Sequence, residues 1–514
     1  MGWFTIPPFI SLPHINTDDV ISINNVNIKR LLAKEFYMYL GVPVGDKNDQ
    51  SPYEILDKLV IDLGKIVNSD LWDWQKLKSY RIFMHSRLVY AFRNREIKIS
   101  VLEEKNSKIK AYMKQLLHLP NQAEICYLYS SIVNGGVGLT GLIDEYHTQC
   151  IVQAFRLLNS DCPLTKRIIS DSLCFVSSTR LRIANPSIGE SLEWINGKKS
   201  IVNSASKKTW WIRVINAVKY LKNTHKISLI FEFLKDETYL RMTSDFCGTY
   251  NFGPRNRKQL SFVLHQLIQE SYSSRWLDSK RSSFIADTIK LNPRINKMIF
   301  RSDLKSFGFK FIHRARTNTL AINASPWKTN EESKKCRRCH NFPETMSHVL
   351  QCCNPNKKLH TASHDACLNK IVECLRSKGL IIVVNQMCSL LPDRRERIDL
   401  MVTDVNKKKI FLVDMKCPMD TLKNFEESDK NNIIHYTDFR NELAKLKPDF
   451  NIELFTCIIG SLGTVPASTE AILAKIGVPK NKIRNLVKQW AISNIEHSAK
   501  IWHFHSTGAL IDYI

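Results

Sequence analysis

The sequence predicts a multidomain α+β protein. Its N-terminal two-thirds read as mostly helical, a short Cys/His-rich segment follows, and a small α/β domain with a mixed sheet closes the chain. Three observations carry this prediction. The chain has 514 residues, 44% hydrophobic and 24% charged, which is enough for three or four folded domains and unlike a disordered composition. Four of its 14 cysteines crowd into 336–353. Strand-like and helix-like runs then alternate from 376 onward.

Residues 1–150 begin with short β-like runs such as YMYLGVPVG at 37–45. Asp18 and Asp19 read as loop. A basic amphipathic helix is expected over 72–94, where Leu77, Phe83, Leu88 and Phe92 recur at helical spacings among Lys76, Lys78, Arg81, Arg87 and Arg93. The region closes with NGGVGLTGL at 134–142. Residues 151–330 read as mainly helical, with a Lys- and Trp-rich helix over 207–222 and a turn-rich break at 247–258. Trp210 and Trp211 either stack on bases or pack in a core, and buried aromatics are the commoner case. The third region, 331–375, holds the Cys/His cluster, and 376–514 forms the α/β domain. No repeat period stands out.

Lys and Arg number 74 against 49 Asp and Glu, a net charge of +25. A soluble chain this basic meets a polyanion, either nucleic acid or an acidic membrane surface. No apolar run approaches the roughly 20 residues of a membrane helix, and LIIVV at 380–384 is far shorter. The N-terminus lacks a basic n-region and a cleavage site, and Ile6 breaks the myristoylation pattern. The cysteines are too sparse for a disulfide scaffold, so their cluster reads as metal binding in a reducing compartment. Secreted modules, membrane proteins and disordered tails are thereby excluded. An intracellular nucleic-acid protein leads, with no membrane and no small-molecule substrate as partner.

The cluster reads KKCRRCHNFPETMSHVLQCC from 334. Cys336, Cys339, His348 and Cys353 have the spacing C-x2-C-x8-H-x4-C, and Cys352 competes for the fourth place. Zinc favours a tetrahedron of thiolate and imidazole ligands, and a C-x2-C turn sets two thiolates on one side of it. Buried free thiols are the bland alternative. Lys334, Lys335, Arg337 and Arg338 surround the first two cysteines, where they either contact phosphate or form a solvated surface.

A second constellation, RRERIDLMVTDVNKKKIFLVDMKCPMD, spans 394–420. Strand-like runs at 397–405 and 408–417 flank Asn406-Lys407, a two-residue hairpin turn. A turn centred between 406 and 407 sets Asp399 opposite Asp414, and strand period two puts Lys416 on the face of Asp414. Ile398, Leu400, Val402, Phe411 and Val413 take the other face with the core. Paired carboxylates hold Mg²⁺ through oxygen, the metal polarises a phosphodiester, and a lysine orients water or offsets phosphate charge. D-x14-D-x-K fits the spacing of PD-(D/E)xK nucleases. Read alone, an Asp beside a Lys in a hairpin is more often a surface ion pair.

The order of these segments resembles the C-terminal half of the polyprotein of a site-specific type-1 non-LTR retrotransposon. The class is the one that carries a restriction-like endonuclease and inserts into ribosomal DNA. YLGVPVG resembles the joint between reverse-transcriptase palm and thumb, and the basic region with NGGVGL resembles the thumb. HRARTNTLAINA at 313–324 is similar to the stretch ahead of the family's CCHC zinc knuckle, and SHDACLNKI at 363–371 is similar to its His-containing segment after it. The resemblance implies a palm-and-thumb remnant at 1–150, a helical linker at 151–330, a zinc knuckle at 331–375 and a PD-(D/E)xK-like endonuclease at 376–514.

Residue by residue, the resemblance implies that Cys336, Cys339, His348 and Cys353 hold structural Zn, and that Asp399 and Asp414 bind catalytic Mg. Lys416 occupies the DxK position. Many members instead use a downstream lysine before a Tyr, for which Lys430 ahead of Tyr436 is the counterpart. Ile398 stands where the family usually has proline. The implied activity is nicking of target DNA, whose freed 3′-hydroxyl primes reverse transcription of the element RNA, with target DNA and element RNA as partners and the nucleus as location. No F/Y-A-D-D turn occurs, so polymerase activity is not expected of this chain itself. Two other readings stand beside it, a catalytically inactive zinc-knuckle nucleic-acid-binding relic and a host DNA-repair nuclease.

Overall fold

The computed structural model describes residues 53–95, 97–197, 209–279, 283–299, 304–324, 330–376, 379–387 and 397–510, and the backbone of four short strands ahead of them. Those strands form two antiparallel ladders, Ser22–Ile23 with Val26–Asn27 and Tyr37–Tyr39 with Val42–Val44. The last pair falls within the expected β-like run. Asp18, Asp19, Lys207 and Lys208 lie outside the described residues. The chain forms two compact units: one takes in the residues up to Asp70, Lys76–Met113 and Gly138–Tyr272, the other Leu71–Gln75, Lys114–Val137 and Ser273–Ile514.

In the first unit, helix α1 (Leu142–Leu158) is buried on nearly every side. Helix α2 (Trp210–His225) packs against it. Trp211 is fully buried, which places it in the core, and half-buried Trp210 meets it edge-on at 4.7 Å. The basic stretch is not one helix. A π-turn at Tyr80–Met84 and a 3₁₀ turn at His85–Arg87 interrupt it between Asp73–Ser79 and Leu88–Asn94. The extra residue of the π-turn shifts the phase, so Leu77, Leu88 and Phe92 are buried while Phe83 is 63% exposed.

The region expected to be mainly helical also contains a three-stranded antiparallel sheet. Its strands are β1 (Ile227–Leu234), β2 (Glu237–Ser244) and β3 (Gly248–Phe252). The sequence shows the reason: Ile227, Leu229 and Phe231 alternate with less buried residues at period two. Lys235 and Asp236, at φ 51° and 61°, close the first hairpin as a left-handed two-residue turn. The expected turn-rich break is β3 and the residues just after it.

Two adjacent carboxylates anchor α1. Asp144 accepts from His225 Nε2 (2.8 Å), Tyr220 Oη (2.8 Å) and Tyr272 Oη (3.0 Å). Glu145 meets His265 Nε2 at 2.6 Å and His85 Nε2 at 3.1 Å, and its other oxygen takes Gln149 Nε2 at 2.6 Å. Burial pushes both acids upward, but these hydrogen bonds and the histidines overcome it and hold both below the ordinary range. Burial works against the charged form of His265, and Glu145 overcomes that to raise it.

In the second unit a four-stranded mixed sheet consists of β4 (Ile381–Met387), β5 (Arg397–Asp404), β6 (Lys409–Lys416) and β7 (Asn451–Ile458), in the order β7-β6-β5-β4. Helix α3 (Lys357–Leu375) precedes it. Helix α4 (Leu422–Leu446) is the crossover that makes β6 and β7 parallel, and α5 (Lys480–Thr507) follows. Both α3 and α4 pack on β6, which is buried from Ile410 to Met415. The expected alternation therefore fails on β6: Phe411 and Val413 are buried, and so are Ile410 and Leu412. Ile398 packs with Ile410, Leu412, Tyr436 and Phe439, an apolar seat that β-branched Ile fills well.

Two segments of the sequence resemblance meet in this unit. His313 Nδ1 takes a hydrogen bond from Tyr127 Oη at 2.7 Å, and buried Arg316 donates to the Gly135 carbonyl and Asn296 Oδ1, both at 2.9 Å. Gly135 (φ 81°) leaves no room for a side chain, since a Cβ there would sit 2.7 Å from Ile289 Cδ1.

Glu145 contributes stability above its ordinary pKa of 4.5, lost as pH falls toward its depressed folded value. His265 contributes below its ordinary 6.5, lost as pH rises through its elevated folded value. The thermal midpoint should therefore plateau between about pH 4.5 and 6.5. A Glu145→Gln variant should lower that plateau and flatten both flanks in melts followed by circular dichroism.

Candidate functional site

The Cys/His segment folds as a small hairpin followed by one helical turn. The Cys336 amide donates to the Phe342 carbonyl and the Glu344 amide to the Lys334 carbonyl, each at 2.8 Å. The C-x2-C turn ends on His340 at φ 56°. His348 opens a π-turn, His348–Cys352, which the Cys353 amide closes on the His348 carbonyl at 2.8 Å. That i→i+5 register brings Cys353, rather than Cys352, beside His348. Cys353 is buried and Cys352 exposed.

Ligand atoms of Cys336, Cys339, His348 and Cys353 all lie within 4.8 Å of one another. Cys336 Sγ and Cys353 Sγ are 3.7 Å apart, and Cys339 Sγ is 3.3 Å from His348 Nε2. A tetrahedron with metal–sulfur bonds of about 2.3 Å has an S–S edge of about 3.8 Å, whereas a disulfide bond is about 2.05 Å. Burial and the neighbouring Cys336 and Cys339 push the Cys353 thiol far up. Such crowded thiols ionise together only when a cation neutralises them. The cluster could hold a metal ion, and its donor set is that of a zinc site.

A supporting layer surrounds these donors. Arg337 Nη2 contacts buried Glu344 at 2.6 Å and its amide at 2.7 Å. His505 Nε2, from α5, lies 3.4 Å from Glu344 and 3.6 Å from Cys336 Sγ. Burial raises Glu344, but His505 and Arg337 outweigh it and bring the carboxyl down to about 2. Arg338 donates to the Phe504 and His505 carbonyls, while Lys334 and Lys335 pair with Glu331 and Glu332. Arg337 and Arg338 are thus engaged within the fold, whereas Lys334 and Lys335 make surface ion pairs with exposed glutamates. Glu344 and His505 carried no sequence signal, because their roles depend on a helix more than 150 residues away.

On the hairpin, the antiparallel register runs from Lys409–Asp404 to Val413–Leu400, and Asp399 and Asp414 lie just beyond its last pair, at one end of the hairpin. The turn is longer than expected: 405–408 connect the strands, and Lys408 (φ 52°) rather than Asn406 is left-handed. Asp404 Oδ1 accepts the Lys407 amide at 3.0 Å, an Asx-type closure. The loop is still centred between 406 and 407, and the register from Asp404 to Leu400 follows from it.

The Asp399 and Asp414 carboxyls act on each other electrostatically. Asp399 Oδ2 accepts His364 Nε2 at 3.0 Å and the Met415 amide at 2.7 Å. Lys416 Nζ is 2.7 Å from Asp414, with 43% of the lysine side chain exposed against 2% of the aspartate. Burial raises Asp414 above the ordinary carboxylate range, Lys416 opposes this and Asp399 adds to it. Burial also acts to raise Asp399, but His364 and the Met415 amide overcome it and bring that partner down. The hydrogen bond to Asp399 leads in raising His364 to about 9. Two acids sharing one site are thus driven apart in their affinity for a proton, with His364 and Lys416 supplying positive charge beside them.

Lys430 is not brought to this pair. It lies exposed on α4, two residues from buried Asn432, which shares the inward face with Tyr436. Asn432 Nδ2 donates to Thr456 Oγ1 at 2.7 Å, and Thr456 is the β7 neighbour of Asp414. A helix turns about 100° per residue, so a lysine six places before Tyr436 points elsewhere. His364 joins the group from α3, within the segment singled out by resemblance.

No protein-family model matches the chain. It is 22% identical over 304 residues to an uncharacterized protein of Caenorhabditis elegans, an alignment covering 58% of this chain and 87% of that protein. It is 20% identical over 158 residues to the retrovirus-related Pol polyprotein from the type-1 retrotransposable element R2 of Popillia japonica. That alignment covers 30% of this chain and 32% of the polyprotein, a partial link to a retrotransposon.

Purified protein should contain about one zinc per chain by elemental analysis. Cys353→Ala should abolish it and Cys352→Ala should leave it intact. Zinc retained by Cys353→Ala and lost by Cys352→Ala would reverse the ligand assignment.

Proposed function

We propose that this chain is a retrotransposon-derived nucleic-acid protein whose C-terminal sheet domain is a metal-dependent DNA endonuclease. The observation that carries the reading is the convergence of Asp399, Asp414 and Lys416 on one end of the hairpin. The partial likeness to a retrotransposon Pol polyprotein and the Cys₃His cluster support it.

Asp399 and Asp414 would hold Mg²⁺, which when bound polarises the scissile phosphodiester and stabilises the departing oxygen. His364 fixes Asp399 by donating Nε2–H, so the carboxylate keeps one orientation. Lys416 stands at the boundary with solvent, where its ammonium offsets phosphate charge or positions the attacking water. In hydrolysis the water oxygen bonds to phosphorus and the P–O3′ bond breaks. The water loses a proton to a neighbouring base, and the 3′ oxygen gains one. The products are a 3′-hydroxyl and a 5′-phosphate. Target DNA and an element RNA are the proposed partners, and the nucleus the proposed location. These 514 residues contain no F/Y-A-D-D turn, so polymerisation is not proposed for them.

A nicking assay on supercoiled plasmid tests the reading. Wild type should relax the plasmid in Mg²⁺ and not in EDTA, and Asp399→Ala with Asp414→Ala should abolish nicking. Lys416→Ala should slow it by about 100-fold or more, whereas Lys430→Ala should leave it nearly unchanged. His364→Asn should cost about 10–100-fold, the usual loss for a group that orients a metal ligand. Wild-type protein that binds DNA without nicking it would sink the nuclease reading and leave a nucleic-acid-binding relic.

A further inference from the structure

The short helix Pro293–Ile299 and the first turns of α5 enclose a recess of about 530 Å³ in the second unit. Arg294 and Lys297 face it from one helix at i, i+3 spacing, and Arg484 and Lys488 from the other at i, i+4. Ile295, Ile299, Ile483 and Val487 are buried along the same two helices. The apolar seam that packs the helices together thus fixes the four cations around one opening. Arg294, Lys297 and Arg484 are exposed, and Lys488 is half-buried.

The charge in the recess is unbalanced. Lysines elsewhere in this unit close ion pairs with nearby acids, such as Lys407 with Asp404 and Lys445 with Glu442. The four cations of the recess form no ion pair with a described residue. The one carboxylate in the lining, Glu470, accepts the buried Asn292 amide at 2.5 Å. Like charges gathered at one opening raise the local concentration of anions. The positive end of the α5 dipole adds to the same field.

We infer that this recess is a phosphodiester-backbone site, separate from the carboxylate pair, that grips nucleic acid without reading its sequence. The inference rests on the proposal that the chain acts on nucleic acid, but not on nicking. A single phosphate would leave most of the volume empty, whereas successive phosphates of one strand can meet cations on both helices. The lining contains no aromatic ring, so it offers no stacking platform for a base. Its apolar part, Ile295, Met298 and Val487, can lie against sugar. Phosphate contacts position a protein on nucleic acid and carry no sequence information.

Binding measured by fluorescence anisotropy without added Mg²⁺ tests this without any nicking. The full chain is compared with an Arg294→Gln, Lys297→Gln, Arg484→Gln, Lys488→Gln variant. A control carries equal charge loss at exposed Lys219→Gln, Lys222→Gln, Lys357→Gln and Lys358→Gln. Duplex DNA, single-stranded RNA and tripolyphosphate are the probes. The recess variant should bind duplex or single strand at least about tenfold more weakly, with the slope of log K against log salt smaller by about 0.9 per lost duplex contact or 0.7 per lost single-strand contact. The control should move far less, and whichever polymer loses more identifies the strand type held there. Equal losses in both variants would reduce the effect to net charge and overturn the site. So would unchanged binding by the recess variant, or loss confined to tripolyphosphate. Arg294→Lys with Arg484→Lys should retain binding, and equal melting midpoints verify folding. Plasmid nicking by the wild type is read separately from binding, so weakened binding by the recess variant without any wild-type nicking leaves the site standing while the nuclease reading fails.

Discussion

β6 is buried from Ile410 to Met415, yet it carries an ionisable side chain in that span. A carboxylate removed from water must be neutralised, paired or hydrogen-bonded. Asp414 meets this constraint through Asp399 across the hairpin and Lys416 two residues along its own strand. The need then passes outward: Asp399 requires His364 from α3 and the Met415 amide. An apolar residue at 414 would pack against α4 without any of these partners.

α5 is the element that ties this domain together. Asn494 donates to the Ile459 and Gly460 carbonyls just after β7, and Ser363 of α3 donates to Asn494 Oδ1. Trp490 Nε1 donates to the Cys367 carbonyl at 2.9 Å. At its C-terminal end His505 reaches Glu344 and Cys336, and Asn356 Nδ2 lies 3.1 Å from His505 Nδ1. One helix thus braces the helix of His364, the end of β7 and the Cys/His segment. Its first turns also supply half of the cationic recess. Zinc in the Cys₃His cluster would stiffen the far end of this brace, since metal binding there is also folding free energy.

The basic residues divide into two populations. Arg337 and Arg338 are held by contacts within the fold, and Lys334 and Lys335 by neighbouring glutamates at the surface, although all four sit beside the cluster that first drew attention to them. Arg294, Lys297, Arg484 and Lys488 have little local pattern in the sequence and yet converge. A charge count of +25 describes a field around the molecule. Where that field is strong depends on which cations have already found acids.

Local spacing was enough for the features whose partners lie close in the chain. C-x2-C and H-x4-C bring their donors together through a short hairpin and one π-turn. A turn centred between 406 and 407 sets the register from Asp404–Lys409 to Leu400–Val413 and so carries Asp399 and Asp414 to the same end of the hairpin, because strand register is set by the loop that joins the strands. The sheet inside 151–330 was also written locally, in the alternation of Ile227, Leu229 and Phe231, but it lay among helical segments that masked it. Burial on both faces of β6, the inward face of α4 that takes Asn432 and leaves Lys430 outside, and the reach of His505 were decided by tertiary structure alone. Each depends on which helix packs against which strand. Residues far apart in sequence make that choice by burying a shared apolar surface, and no local spacing encodes it.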